Sequence, residues 1–584
     1  MVSAASRKHH ELMTIRDTVE SVWVAIVLAF VLRTFILEAF VIPTGSMAPR
    51  LMGEHYDLRC LVCGYRYSYG SHKRGSPQRG ELSLPAVGAY CPSCGAEHRL
   101  RRKSYVNSGD RVLVLKYLYR FIEPKPWDVI VFRNPQSNSN NYIKRLIGLP
   151  GETIEIVHGD VFVIPYGRSK WRVLRKPDRA QKAMWQTICD NDYRPNLEML
   201  ADQGIEKPRR WVPQTGQSAW NTTAAKGRTF AFSGGQIQYL RFKGLRKAVN
   251  PYEYPRSEAF DRTSAEAERE SVREAFVPRY GYDKYGHDNH SLESLHIEPE
   301  VDLCGDLRLS AVLRPLDDDA SVSLILEAMH YCVKARFDSD GTVTLFGRRR
   351  EGAAAGWKKW RQVRIAPLKK GRGYRIALDH VDYSAKVWVE GRKVIDETYQ
   401  ADHDALKVRL DEVADRPLPI PGARIAARGG RLELWHTKLM RDVYYTNFQL
   451  GRPPSPLDTP RPDFLLKHAR SPDVSPSVGK LGWGVMNNPI RLAKHRKNEL
   501  HDLDEFFVLG DNSPQSLDSR GWIEAAPSLR LRDGDGRLLY HLGTVPRYNL
   551  IGKAIFVYWP AGFRLSLLPG LPIVPNVGRM RLIR

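Results

Sequence analysis

Ser46 and Lys144 are the two side chains whose types and settings point to a reaction. Ser46 lies in Ile42-Pro43-Thr44-Gly45-Ser46-Met47-Ala48-Pro49-Arg50-Leu51. Gly45 lets the backbone approach a bound chain or take a strained turn, and two prolines brace the segment. Lys144 lies in Tyr142-Ile143-Lys144-Arg145-Leu146-Ile147-Gly148-Leu149-Pro150-Gly151-Glu152. Where such a lysine points into an apolar site, desolvation disfavours the ammonium and lowers its pKa. A neutral amine can then take the proton from a serine hydroxyl, the Ser–Lys form of nucleophilic catalysis. Taken singly, each has a plainer reading. Serine after glycine is ordinarily a turn residue, and a lysine among aliphatic residues ordinarily snorkels from a strand edge.

Two further segments bear on the choice. Gly109-Asp110-Arg111-Val112-Leu113-Val114 reads as a turn entering a strand. Gly510-Asp511-Asn512-Ser513-Pro514-Gln515-Ser516-Leu517-Asp518-Ser519-Arg520-Gly521-Trp522 reads either as a solvated loop or as a polar network holding a catalytic amine in place. In this order, behind an apolar N-terminal stretch, the four segments resemble the conserved boxes of bacterial type I signal peptidases. The resemblance covers about residues 15–55, 105–165 and 504–560, where Leu550-Ile551-Gly552-Lys553-Ala554 and Tyr558-Trp559-Pro560 look like the closing strand.

That resemblance implies a serine endopeptidase that cuts signal peptides from secreted preproteins and needs no cofactor for catalysis. Ser46 would be the nucleophile, and Lys144 the general base that later protonates the leaving amine. Ser516 would hydrogen-bond and orient the Lys144 amine. Thr44 falls where many relatives use serine as an oxyanion-hole donor, with the Ser46 N–H as the second donor. Asp518 and Arg520 match a structural ion pair, and Asp511 belongs to the same support. Ile42, Pro43, Leu51 and Ile143 match positions lining pockets for the small side chains before the scissile bond. The substrate would dock there by strand addition. Two departures stand out: Ser513-Pro514-Gln515 replaces a common Arg-Asp-Asn, and Arg50 stands where threonine is usual.

Cys60-Leu61-Val62-Cys63 and Cys91-Pro92-Ser93-Cys94 form a paired CxxC pattern, each followed by glycine, that resembles a zinc ribbon. Four thiolates on two such turns suit a tetrahedral structural Zn²⁺ and leave no open position for catalysis. Disulfides are the competing reading, because the location the resemblance implies is oxidising. Cys189, Cys304 and Cys332 are scattered, and buried structural thiols are expected there.

The elements that must position these residues read as mainly β. The expected architecture is a signal-peptidase-type β catalytic domain with an N-terminal transmembrane helix and an inserted β-sandwich. Residues 1–40 are expected to hold a cytoplasmic N-terminus and the anchor. Arg7, Lys8 and Arg16 precede an uncharged run from Ser21 to Leu32, extended past Arg33 to Leu37. About 17 residues is the lower edge for a span, and the upstream basic residues place the N-terminus inside. A single-pass protein of the bacterial inner membrane follows, with its catalytic domain on the outer, periplasmic side.

The catalytic domain is expected over 41–165 and 504–584, with the ribbon at 56–102, a basic insert of uncertain order at 166–293, and a linker at 451–503. Between 294 and 450, Leu307, Leu309, Ala311 and Leu313 alternate with polar or smaller neighbours, and Asp340-Gly341 marks a hairpin. Strands at that spacing suggest a sandwich resembling concanavalin or laminin G domains, which some chains use to hold an envelope ligand such as a glycan. Asp317-Asp318-Asp319 reads as an acidic turn between strands, with calcium binding as the less favoured alternative. The net charge of +24 is spread along the chain without a compact aromatic-and-basic block, so anionic lipid headgroups of a bilayer, not nucleic acid, are its expected partner. A second class of function is a catalytically silent, membrane-tethered binding protein that uses the sandwich. The presence of Ser46, Lys144 and Ser516 together argues against it.

Overall fold

The computed structural model describes residues 4–31, 36–70, 89–94, 96–98, 107–137, 139–196, 198–199, 211–243, 304–350, 356–412, 421–445, 482–495, 501–513, 516–522, 524–530, 539–560 and 576–583. Most described elements are β-strands. The part of the expected basic insert from 244 to 293, the first ten residues of the sandwich expected from 294, and most of the linker expected at 451–503 lie outside the described residues.

The first element is a helix, Ala4–Val31. Among the described residues no helix is long and apolar enough to cross a membrane. The transmembrane span expected through Leu37 is therefore not confirmed, and its residues 32–35 lie outside the described ones. Its apolar run is divided between the end of this helix and a strand, Leu37–Val41. The uncharged helical part, Ser21 to Val31, covers only ~16 Å of the ~30 Å hydrocarbon layer. Its side chains are nonetheless solvent-facing: Val22, Trp23, Val24, Val27, Leu28 and Phe30 are all exposed.

One sheet carries both candidate catalytic segments. Its order runs from Leu37–Val41 through Arg111–Lys116, Leu550–Trp559, Val129–Arg133 and Asn141–Gly148 to Glu505–Leu509 and Val545–Pro546. Alternation sets its faces: Val112, Val114, Val129, Val131, Ala554 and Val557 fill one core with Ile42, Met47 and Leu51. Ile130, Phe132, Leu146, Phe506, Val508 and Trp522 fill the other side. A second, four-stranded sheet of Arg172–Val173, Asp160–Ile164, Thr153–Val157 and Ile490–Arg491 continues from it. Ile154 and Ile156 of that sheet share a core with Ile147, Phe507 and Leu509 of the first.

The remaining β-structure is a pair of sheets around one large core, to which Leu309 and Leu378 contribute from one sheet and Leu324 and Ile425 from the other. Leu307–Pro315 shows the expected alternation of buried and half-buried residues. Tyr331–Asp338 and Thr342–Arg349 form a hairpin over Gly341, whose φ of 87° suits a residue without Cβ. The pair of sheets starts well before residue 294, however. Gln186–Asp190 and Phe230–Gly234 pair with Gly430–Arg441, while Trp211–Pro213 and Gln238–Phe242 belong to the facing sheet. Trp211, Trp220, Phe230 and Phe232 are buried in the shared core, which explains why the polar segment around them is ordered.

Candidate active site

Ser46 sits in a short 3₁₀ turn, Gly45–Met47, immediately beyond the edge strand Leu37–Val41. The turn is clamped from below. Ile42 N–H donates to the Asp110 carbonyl, Asp110 N–H donates to the Met52 carbonyl, and the Asp110 carboxylate accepts from Met52 N–H at 3.0 Å. Gly109 is required here, because a Cβ on it would lie 1.7 Å from the Ile42 carbonyl oxygen.

Lys144 stands on Asn141–Gly148, a strand hydrogen-bonded to Val129–Arg133 on one side and, from Arg145 onward, to Glu505–Leu509 on the other. Its Nζ donates to Ser46 Oγ at 2.7 Å, and both residues are buried. Burial holds the Lys144 amine down to about 8, with Asp518 pulling it up and Arg520 pushing it further down. A lysine whose neutral form is reached near pH 8 instead of 10.5, in hydrogen-bond contact with a serine hydroxyl, is chemically able to accept that hydroxyl's proton in that form.

The loop after Glu505–Leu509 holds this pair from the far side. Asn512 is the residue that sequence reasoning passed over: its backbone N–H donates to the Ser46 carbonyl at 3.0 Å and its side-chain amide to the Gly45 carbonyl at 3.0 Å. Asp511 takes a bidentate contact from Arg145 at 2.7 and 2.6 Å, and Arg145 also donates to the Trp127 carbonyl at 2.9 Å. Arg145 and Asp511 are both fully buried, so the pair is enclosed in the core. Asp518 and Arg520 form a second enclosed pair at 2.8 Å, and Asp518 accepts from Gly510 N–H. Arg520 further donates to the Ser513 hydroxyl at 2.7 Å, so the departure at Ser513 is absorbed into the network.

Not every expected contact is present. Ser516 lies beside the nucleophile turn, since a Cβ on Gly510 would meet both Ser516 Oγ and the Ser46 carbonyl oxygen. Yet among the described residues the buried Ser516 hydroxyl has no hydrogen-bond partner, so the expected bond to the Lys144 amine is not made. Thr44 precedes the turn in extended conformation, and its hydroxyl does not cap it. Of the expected pocket residues, Ile42 and Leu51 are 2% and 0% exposed and belong to the core, Ile143 is half-buried, and Pro43 is exposed.

The four cysteines converge. Cys60 and Cys63 lie at the turn of the hairpin His55–Arg59 and Arg66–Gly70, while Cys91 and Cys94 lie at that of Ala89–Tyr90 and Glu97–His98. Cys60 Sγ is 3.5 Å from Cys94 Sγ, and Cys63 Sγ is 3.6 Å from Cys91 Sγ; all four sulfurs lie within 4.8 Å of one another. A disulfide would need ~2.05 Å. Four sulfurs at ~2.3 Å from one ion would be ~3.8 Å apart in a tetrahedron, which these separations fit.

The family model for signal peptidase, peptidase S26, matches residues 102–190 and 486–559, which include Lys144 and the 510–522 loop but not Ser46. Signal peptidase I of Rickettsia typhi is 28% identical over 150 residues, 26% of this chain and 44% of its own length. Signal peptidase I of Pseudomonas fluorescens is 30% identical over 127 residues, 22% of this chain and 30% of its own length. The chain thus spans less than half the length of these curated relatives. Among solved structures, the carbohydrate-binding module CBM66 from Bacillus subtilis overlaps 40% of this chain and 92% of its own, at 10% identity and a TM-score of 0.19, too weak a likeness to inform on any ligand. Two segments of the chain, 102–190 and 486–559, are therefore similar to the signal peptidase S26 family, and most of the paired β-sheets lies between them.

Proposed function

We propose that the chain is a serine endopeptidase that removes N-terminal signal peptides from exported preproteins, with Ser46 as nucleophile and Lys144 as general base. The observation that carries this reading is the 2.7 Å contact between a buried, pKa-depressed lysine amine and the Ser46 hydroxyl. The neutral Lys144 amine takes the Ser46 proton as Oγ attacks the scissile carbonyl carbon. In this reading the Ser46 N–H and the Thr44 hydroxyl are the donors to the developing oxyanion; losing one such donor typically raises the barrier by ~3–4 kcal/mol. As the tetrahedral adduct collapses, the lysine ammonium returns its proton to the leaving amine. Water then cleaves the acyl-enzyme with Lys144 again as base. The unpartnered Ser516 hydroxyl is available to receive the amine once it leaves Ser46. The substrate segment docks along the Lys144 strand ahead of Arg145, where the ladder to Glu505–Leu509 begins.

The four-cysteine cluster holds a structural Zn²⁺ in this reading, supported by the sulfur separations. The exposed apolar side chains of the N-terminal helix bring the chain to a bilayer, on the outer face of the bacterial inner membrane where exported preproteins emerge. Purified chain is tested on a preprotein with an Ala-x-Ala site. Cleavage in the wild type, reduced about 10³-fold or more in both Ser46→Ala and Lys144→Ala, is expected. Equal processing by wild type and both variants refutes the assignment. A wild type that binds preprotein without cutting it marks the alternative, a silent membrane-tethered binding protein.

A further inference from the structure

A cavity of ≈ 40 Å³ opens where the second sheet of the peptidase part meets the paired sheets, lined by His158, Asp160, Asp306, His330, His380 and Tyr399 among others. That is room for about three water molecules, or one hydrated ion. Three carboxylates from distant parts of the chain converge there: Asp160, Asp306 and Asp382 each place an oxygen within 4.8 Å of the other two. Asp160 begins the strand Asp160–Ile164. Asp306 leads into Leu307–Pro315. Asp382 sits in the tight turn between Tyr374–Val381 and Ser384–Val389, with φ of 47° at Asp382 and 55° at Tyr383.

The carboxylates at the cavity outnumber the cationic side chains in direct contact with them; the nearby Arg175 guanidinium is spent on the Asp382, Tyr383 and Tyr399 carbonyls. A fourth carboxylate, Asp442, is also close by, and one ammonium, Lys176, lies 2.5 Å from Asp382 and 2.9 Å from Asp442. Asp306 accepts the Asp382 backbone N–H at 2.9 Å, and the Asp160 carboxylate makes no hydrogen bond or ion pair among the described residues. Excess buried negative charge of this kind is costly unless a proton or a cation compensates it.

His380 supplies an independent sign of a missing partner. It is 5% exposed, and its Nδ1 faces Asp306 Oδ1 at 3.6 Å, within ion-pair range but too long for a hydrogen bond, with no hydrogen-bond partner among the described residues. Its Nε2 is engaged with the Tyr399 hydroxyl at 2.5 Å. Donation from Nε2–H to that hydroxyl leaves a lone pair on Nδ1 turned to the carboxylates, the arrangement that orients ligating histidines. We propose that Asp160, Asp306 and Asp382, with His380 Nδ1 facing them, bind one divalent cation that accepts carboxylate oxygen together with imidazole nitrogen, of the Mn²⁺ kind. Carboxylate suits Mn²⁺, while a mixed oxygen and nitrogen set disfavours Ca²⁺, which takes oxygen only. Because its ligands come from both sides of the cavity, the ion ties the peptidase sheet to the paired sheets.

The test uses the full chain, freed of weakly held metal by a chelator and titrated with Mn²⁺, with the loss of the free-ion paramagnetic resonance signal as readout. One ion bound per wild-type chain is expected, with affinity lowered by about tenfold or more in Asp160→Asn and in Asp306→Asn. Cys60→Ser, which alters only the sulfur cluster, is expected to bind Mn²⁺ as the wild type does. A wild type that binds no Mn²⁺ at millimolar concentration overturns the proposal, as does binding that survives both aspartate substitutions or is lost in Cys60→Ser. Should either aspartate variant misfold, the wild-type thermal midpoint with and without Mn²⁺ decides: a rise supports the site, and no change overturns it. None of these readouts depends on peptidase activity.

Discussion

Replacing Lys144 with methionine tests the central electrostatic claim without any substrate. The amine is held down to about 8 from an ordinary 10.5 because it is buried. Each unit of such a shift corresponds to ~1.36 kcal/mol, so keeping Lys144 charged in the folded chain costs at most ~3 kcal/mol below pH 8. Methionine fills a similar volume and removes that cost, but it also removes the bond to Ser46 Oγ, a loss of ~1 kcal/mol. The variant should therefore be more stable than wild type by ~2 kcal/mol at pH 7, while being inactive. The sign of the pH dependence follows from the depressed pKa. Between pH 8 and 10.5 the unfolded chain binds more protons at this lysine than the folded one, so wild-type stability rises with pH across that window. The advantage of the variant should shrink over the same window and vanish above it. Urea unfolding of wild type and Lys144→Met, followed by tryptophan fluorescence at pH 7, 9 and 10.5, reads both effects. A variant less stable than wild type at pH 7, or one whose advantage ignores pH, would refute the view that desolvation depresses the Lys144 pKa.

Wild-type kcat/KM should rise about tenfold per pH unit up to pH 8 and level off above it, as expected for an essential base of that pKa; a flat profile from pH 6 to 9 would exclude Lys144 as the base. Arg145→Met leaves Asp511 charged in the core without its bidentate partner and should destabilise the sheet by ~3–5 kcal/mol, measured by urea unfolding. Asn512→Ala removes the side-chain bond to the Gly45 carbonyl and loosens the nucleophile turn, so kcat should fall about tenfold with KM little changed. Cys60→Ser should abolish the bound zinc measured by elemental analysis; zinc content equal to wild type would rule out the four-sulfur site.

How far the sequence could be read depended on whether an interaction leaves a local mark. The four sulfurs meet because two CxxC turns each impose their own geometry before the fold brings them together. The Leu307–Pro315 strand could be read because one buried face imposes a period of two. Other features leave no such mark. The Arg145–Asp511 pair joins residues 366 apart, and the role of Asn512 is made by its backbone N–H as well as its amide. The early strands of the paired sheets are two to five residues long, too short for periodicity to stand out, although Phe230 with Phe232 and Leu240 with Phe242 alternate. For the N-terminal run, hydropathy does not report backbone direction: apolar character is present both in the helix ending at Val31 and in the strand beginning at Leu37.

Ser46 and Lys144 lie 98 residues apart and neither is informative alone, yet the sheet order explains why they could be paired from the chain itself. The nucleophile turn leaves an edge strand, and the lysine strand lies on the far side of three intervening strands, Arg111–Lys116, Leu550–Trp559 and Val129–Arg133. Across that width contact requires the turn to fold back over the sheet, and each motif supplies one of the restraints that make it do so. Asp110 fixes the entry to the turn at Ile42 and Met52, Asn512 fixes its carbonyls from the opposite loop, and Gly109 and Gly510 admit the close backbone approaches. The short motifs are thus the two ends of clamps on a single turn. A substitution in any of them should act on the Lys144–Ser46 separation before it acts on the chemistry itself.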